Sequence, residues 1–108
     1  MGHDIYGINR SGKEIAYARF SMWNHHANIL YDLLDAQKYN GGVSGIGATA
    51  VYTRQEIEKA LHDFRERFKK DIPFADEDWI WDRKQILEFM ENCLTTAREE
   101  GSVRIVFF

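Results

Sequence analysis

Residues 4–8 (Asp-Ile-Tyr-Gly-Ile) and 14–20 (Glu-Ile-Ala-Tyr-Ala-Arg-Phe) are short apolar and aromatic runs, with the turn-forming run Asn9-Arg10-Ser11-Gly12-Lys13 between them. Two short strands joined in this way predict a β-hairpin. Ile15, Tyr17 and Arg19 fall on one side of the second strand and Ala16, Ala18 and Phe20 on the other. Neither side is purely polar, so part of the outer face is expected to be covered. From about Asn24 to Ala36 the spacing becomes helical, with His26, Ile29, Leu30, Leu33 and Leu34 on one side and Asp32 and Asp35 opposite. Ser21 or Asn24 is the expected cap of that helix.

Residues 40–47 (Asn-Gly-Gly-Val-Ser-Gly-Ile-Gly) place four glycines in seven positions from Gly41 to Gly47, which predicts an irregular loop. Ala48 to Tyr52 then reads as a short strand. Thr53-Arg54-Gln55-Glu56 is a capping box, so a helix starts at Arg54. Ile57, Ala60, Leu61, Phe64 and Phe68 form its apolar stripe, and its end is expected near Asp71, ahead of Pro73. Residues 72–81 read as an acidic and aromatic connector. Asp82 and Gln85 suggest a second capping box, followed by a helix with Ile86, Phe89, Met90, Cys93, Leu94 and Ala97 buried and Gly101 as its stop. Val103, Ile105 and Phe107 alternate with Arg104, Val106 and Phe108 in a last strand. The order predicts an α+β fold in one domain spanning 1–108. Its single, mainly antiparallel sheet is built from the hairpin, the last strand and the short strand at 48–52, with three helices packed on one face.

Composition agrees with one packed domain: 108 residues, 44% hydrophobic, 14% aromatic and 29% charged, with a single proline, which excludes a disordered chain. The net charge is −3 and the 14 basic residues are scattered, so nothing resembles a footprint for a polyphosphate backbone, and nucleic acid is not an expected partner. There is no run of 18 apolar residues and no basic-then-apolar leader, which predicts no membrane partner and no export. With the single cysteine, Cys93, this points to a cytoplasmic protein in a reducing compartment. Cys93 lies on an apolar helix stripe and is expected to be an inert buried thiol.

Candidate chemistry is sparse. The glycines of 41–47 could turn backbone amides toward a phosphate or another anion, but the loop lacks the Lys-Ser/Thr of a P-loop and the spacing of a dinucleotide fingerprint. The alternative role is a connector that needs glycine for its backbone shape. His25 and His26 are adjacent rather than four apart, so no metal site is predicted, and no cofactor is. His3 with Asp4, or either of the other two histidines, would be the acid–base set of a small enzyme. Ser44 fails the G-x-S-x-G pattern. Asp76-Glu77-Asp78-Trp79-Ile80-Trp81 joins carboxylates to indoles and is either a solvated turn or a partner surface carried by Trp79 and Trp81. Trp23, Tyr31 and Tyr39 add aromatic area suited to a homo-oligomer.

The segments Gly2-His3-Asp4-Ile5-Tyr6-Gly7, Tyr31-Asp-Leu-Leu-Asp35, Gly42-Val-Ser-Gly45, Gln55 to Leu61 and Glu100-Gly-Ser-Val103 resemble small uncharacterised proteins of bacteriophage and bacterial genomes. The resemblance spans nearly the whole chain; it implies a phage or mobile-element origin and brings no catalytic residues. The leading expectation is a non-enzymatic binding protein taking a small anionic or nucleotide-like ligand at Asn40, Gly41, Gly42, Ser44, Gly45 and Gly47, with Arg19, His25 and His26 contributing. The alternatives are a His/Asp-dependent enzyme and a protein–protein adaptor.

Overall fold

A computed structural model describes residues 2–68 and 77–108. The chain runs β1 (Gly2–Ile8), β2 (Glu14–Ser21), α1 (Ala27–Leu33), a 3-10 turn (Gln37–Tyr39), β3 (Ala48–Thr53), α2 (Arg54–Arg67), α3 (Glu77–Glu100) and β4 (Ser102–Phe107). The four strands form one sheet in the order β2-β1-β4-β3, with every neighbouring pair antiparallel. The α+β architecture expected from the residue pattern is the one observed. The expected end of the second helix before Pro73, and Asp76 of the acidic stretch, lie outside the described residues.

Strand alternation divides the side chains between two faces. Ile5, Ala16, Ala18, Phe20, Tyr52, Val103, Ile105 and Phe107 point to the helices and are buried with Leu30, Tyr31, Ile57, Phe64, Ile86, Phe89, Met90 and Cys93 in one core. Burial of each large side chain contributes roughly 1.5–3 kcal/mol. The opposite face carries Asp4, Tyr6, Ile8, Tyr17, Arg19, Arg104, Val106, Thr49 and Val51, as the strand registers require, and no helix among the described residues covers it. A register shift at Gly7/Ile8 lets Ile15 pack against the core, on the side opposite to the one expected for a residue in step with Tyr17.

Helix boundaries follow local chemistry where that chemistry is strong. The Thr53 hydroxyl accepts the Glu56 amide, the Glu56 carboxylate accepts the Thr53 amide, and α2 starts on schedule. Gly101 takes φ +87° and ends α3. Two expectations are corrected. The first helix is shorter than 24–36, running Ala27–Leu33, and its buried stripe is Ala27, Leu30, Tyr31 and Leu34 rather than one led by His26. The third begins at least five residues before Asp82, at Glu77 among the described residues, so Asp82 is interior to α3 and caps nothing. In both cases tertiary contacts override the local signal: residues 22–26 form turns against α3, and Trp79 is drawn into the interior with 8% of its surface exposed.

Candidate functional site

The displacement of those two helix starts creates the most chemically loaded place in the molecule. The chain leaves β2 at Ser21 and turns through Met22–His26. Asn24 fixes this turn by accepting the His26 amide at 3.0 Å on its side-chain oxygen. Its side-chain NH2 donates at 2.6 Å to Asp82 Oδ2, and His26 Nδ1 lies 2.8 Å from the same oxygen. Gln85, one turn further along α3, donates at 2.8 Å to Asp82 Oδ1. Asp82 is 3% exposed, and among the described residues these three groups answer its carboxylate without any lysine or arginine.

Gln85 does more than hold the acid. Its Oε1 accepts the Arg19 amide at 3.1 Å and its Nε2 donates to the Arg19 carbonyl at 2.8 Å, closing the outer edge of β2 as a neighbouring strand would. Each end of this amide has a partner of the right type, so its orientation is set, and α3 is pinned to the strand that leads into the 21–26 turn.

A carboxylate accepts only, so the hydrogen on His26 is at Nδ1, and Nε2 of the neutral ring is an acceptor. Nε2 has no hydrogen-bond partner among the described residues. Because no buried side-chain polar atom among the described residues is without one, Nε2 is open to solvent. The ring is held besides by Trp79, edge-on at 5.0 Å, and by the ring of His25 at 4.7 Å. A cleft of about 460 Å³ opens here, lined by Arg19, Ser21, Trp23, Asn24, His25, His26, Asp78, Trp81 and Asp82. Trp23 and Trp81 are 84% and 65% exposed, an unusual state for two indoles lining the same hollow.

The structure therefore brings Arg19, His25 and His26 together and places the glycine loop elsewhere. Asn40 is held in a side-chain network: its NH2 meets Asn28 and Gln37, and its oxygen accepts the Gly42 amide. The Gly41 amide donates to the Ser44 carbonyl and the Gly47 amide to Phe107. The Ser44 hydroxyl donates to the Gly45 carbonyl. Gly45 lies so close to β4 that an added Cβ would stand 2.5 Å from the Phe107 carbonyl carbon. The amides of Gly41, Gly42 and Gly47 are thus engaged internally, which is the connector role for glycine. His3 is 2% exposed and pins the loop by bonding Tyr31 Oη at 2.9 Å and the Gly42 carbonyl at 3.1 Å.

Asp4, its neighbour in sequence, points to the opposite face, where it meets Tyr17 and Arg19. His3 and Asp4 accordingly form no acid–base pair; among the described residues the carboxylate that meets a histidine is Asp82. Of the two indoles expected at a partner surface, Trp81 is exposed and Trp79 is not. Tyr31 is fully buried and offers nothing to an oligomer contact. Cys93 is fully buried, and burial pushes its thiol up to about 12.

Sequence reasoning passed over Asp82, Asn24 and Trp23 as site residues. One signal was present: with the helix started at Glu77, Asp82 falls on the same stripe as Trp79, Ile86 and Phe89, and an acid on a buried stripe requires donors. Among the described residues no group of three His, Cys, Asp or Glu is placed to hold a metal ion, and no helix is long and apolar enough to cross a membrane. No family model, curated protein or solved structure matches the chain.

Proposed function

We propose that this chain is a small binding protein that takes a nucleotide-like ligand, a planar ring carrying an anionic group, into the cleft between the 21–26 turn and α3. The observation that carries this reading is the pair of exposed indoles, Trp23 and Trp81, lining one hollow with the solvent-open Nε2 of His26. Two large apolar rings held in water are costly unless something covers them, and a planar ring covers an indole well. Stacking contributes about 1–3 kcal/mol per base. The ring of His25 is the cleft's donor for the anionic group, and about 460 Å³ suits a mononucleotide-sized molecule. The ligand class is that expected from the sequence; its place is this cleft instead of the glycine loop.

Tryptophan fluorescence tests it, because Trp23 and Trp81 face solvent while Trp79 is buried. Titration with nucleoside monophosphates should quench the exposed emission. Trp23→Ala should weaken binding about 10-fold or more, and His25→Ala should weaken phosphorylated ligands more than the parent nucleosides. Absence of quenching up to about 5 mM of any of them, a concentration that corresponds to only about 3 kcal/mol of binding, overturns the reading.

The His26–Asp82 contact supports a second reading, in which the cleft performs acid–base chemistry on its ligand. A carboxylate at Nδ1 fixes tautomer and ring orientation and leaves Nε2 to take a proton from a bound water or hydroxyl. Conversion of a bound nucleotide by the native chain, lost in His26→Asn with binding retained, would favour this reading over simple binding.

A further inference from the structure

The face of the sheet that carries no helix is a second unexplained surface. The strand registers arrange its side chains in rows across the four strands. The middle row is Tyr17, Tyr6, Val106 and Thr49. One flanking row is Arg19, Asp4 and Phe108, since Asp4 and Phe108 exchange backbone hydrogen bonds. The other is Glu14, Ile8, Arg104 and Val51. Tyr6 stacks on Tyr17 at 5.0 Å and meets Phe108 edge-on at 6.0 Å, so the aromatic rings form one continuous strip. Tyr17, Val51 and Phe108 remain 44%, 60% and 53% exposed, while Tyr6 is half-buried and Val106, between its neighbours in the middle row, is 8% exposed.

We propose that two copies of this chain pack face to face through this side of the sheet, around a two-fold axis that runs across the strands along the Tyr17–Tyr6–Val106–Thr49 row. Two observations select a second copy as the occupant. The first is charge. Rotation about that axis keeps each strand over its own copy and exchanges the flanking rows, so Arg19 comes over the partner's Glu14 and Phe108 over the partner's Arg104. Each contact occurs twice by symmetry, one an ion pair and the other a cation over an aromatic ring. The rings of the middle row meet their own copies. The alternative axis, parallel to the strands, puts Arg19 opposite no acid, so the pattern fits one of the two arrangements.

The second observation is size. Four strands about 4.8 Å apart and three rows about 6.8 Å apart make a patch of about 19 by 20 Å in footprint, before side-chain relief is counted. A stable interface buries about 800 Å² per partner. Sheets packed in this way align within about 30°, which keeps the flanking rows in register over a patch this short.

The decisive substitutions of the test, Tyr17→Arg and Val51→Arg, lie outside the cleft. Sedimentation equilibrium on the full chain should give twice the monomer mass at micromolar concentration. Tyr17→Arg and Val51→Arg lie on opposite outer strands of the sheet, both exposed, and each should raise the dimer dissociation constant at least about 10-fold with the circular dichroism unchanged. Glu14→Arg should also weaken the dimer, and adding Arg19→Glu should restore it. A native chain that stays monomeric at about 100 μM, far above the dissociation constant of an ordinary interface this size, overturns the proposal. So does a dimer that responds to Val51→Arg but not to Tyr17→Arg, which would place the contact at the edge of β3.

Discussion

Asp82→Ala is the substitution that most directly probes how this cleft is built. Removal of the carboxylate leaves the side-chain NH2 groups of Asn24 and Gln85 and the Nδ1–H of His26 without their acceptor. A hydrogen bond to a charged group contributes about 1.5–3 kcal/mol, and a buried donor left unmade costs about 1–3 kcal/mol. The three losses do not add in full. Gln85 keeps its Arg19 carbonyl, and the partly buried Asn24 regains water. Alanine also favours the helix interior by about 0.5 kcal/mol over aspartate. The net loss should be about 2–3 kcal/mol, read as a shift of the urea midpoint with an unchanged slope. Asp78→Ala, at an exposed position in the same cleft, should cost less than about 0.5 kcal/mol and serves as the control. A double-mutant cycle between His26→Ala and Asp82→Ala should show coupling of at least about 1 kcal/mol. A loss under about 1 kcal/mol for Asp82→Ala would refute the view that this acid organises the turn.

Gly45→Ala should cost about 2–4 kcal/mol in the same assay, because the new methyl would stand 2.5–2.6 Å from the Phe107 carbonyl group and β4 would have to move. A near-neutral result would mean that the loop is not seated on β4. Cys93 should resist a thiol reagent at pH 8 and react at the rate of unfolding, since burial raises its thiol to about 12 from an ordinary 9.0. The sign follows from the raised value. Burial favours the neutral thiol, so its contribution to stability is complete below pH 9 and disappears as pH rises through 12. Rapid labelling of the native protein at pH 8 would contradict its burial.

Where a few neighbouring residues decide the outcome, the sequence was sufficient. The Thr53/Glu56 box, the Gly101 stop, the hairpin around Asn9–Lys13 and the alternation in 103–107 each act within a turn or two, and all appear in the structure at the expected places. Three of the expected site residues, Arg19, His25 and His26, also meet in one cleft. Asp82 could not be read this way. Its local text resembles a capping box, and its i, i+3 contact with Gln85 exists, but its partners Asn24 and His26 lie 58 and 56 residues away. A helix terminus and a helix interior can share the same four residues, and Trp79, one turn before Asp82, packs against His26 and Phe68, contacts that local sequence does not display.

The glycine loop illustrates the same division. Composition determined that 41–47 would be irregular, because glycine lowers the preference for any regular element. Whether its amides would face solvent or the protein depended on β4 passing beneath Gly45 and on His3 reaching Gly42, contacts 62 and 39 residues apart in sequence. Local propensity is a property of short stretches and can be read from them. The partner of a buried charge, and the neighbour of an open backbone, are chosen by packing among segments that meet only once the chain has folded.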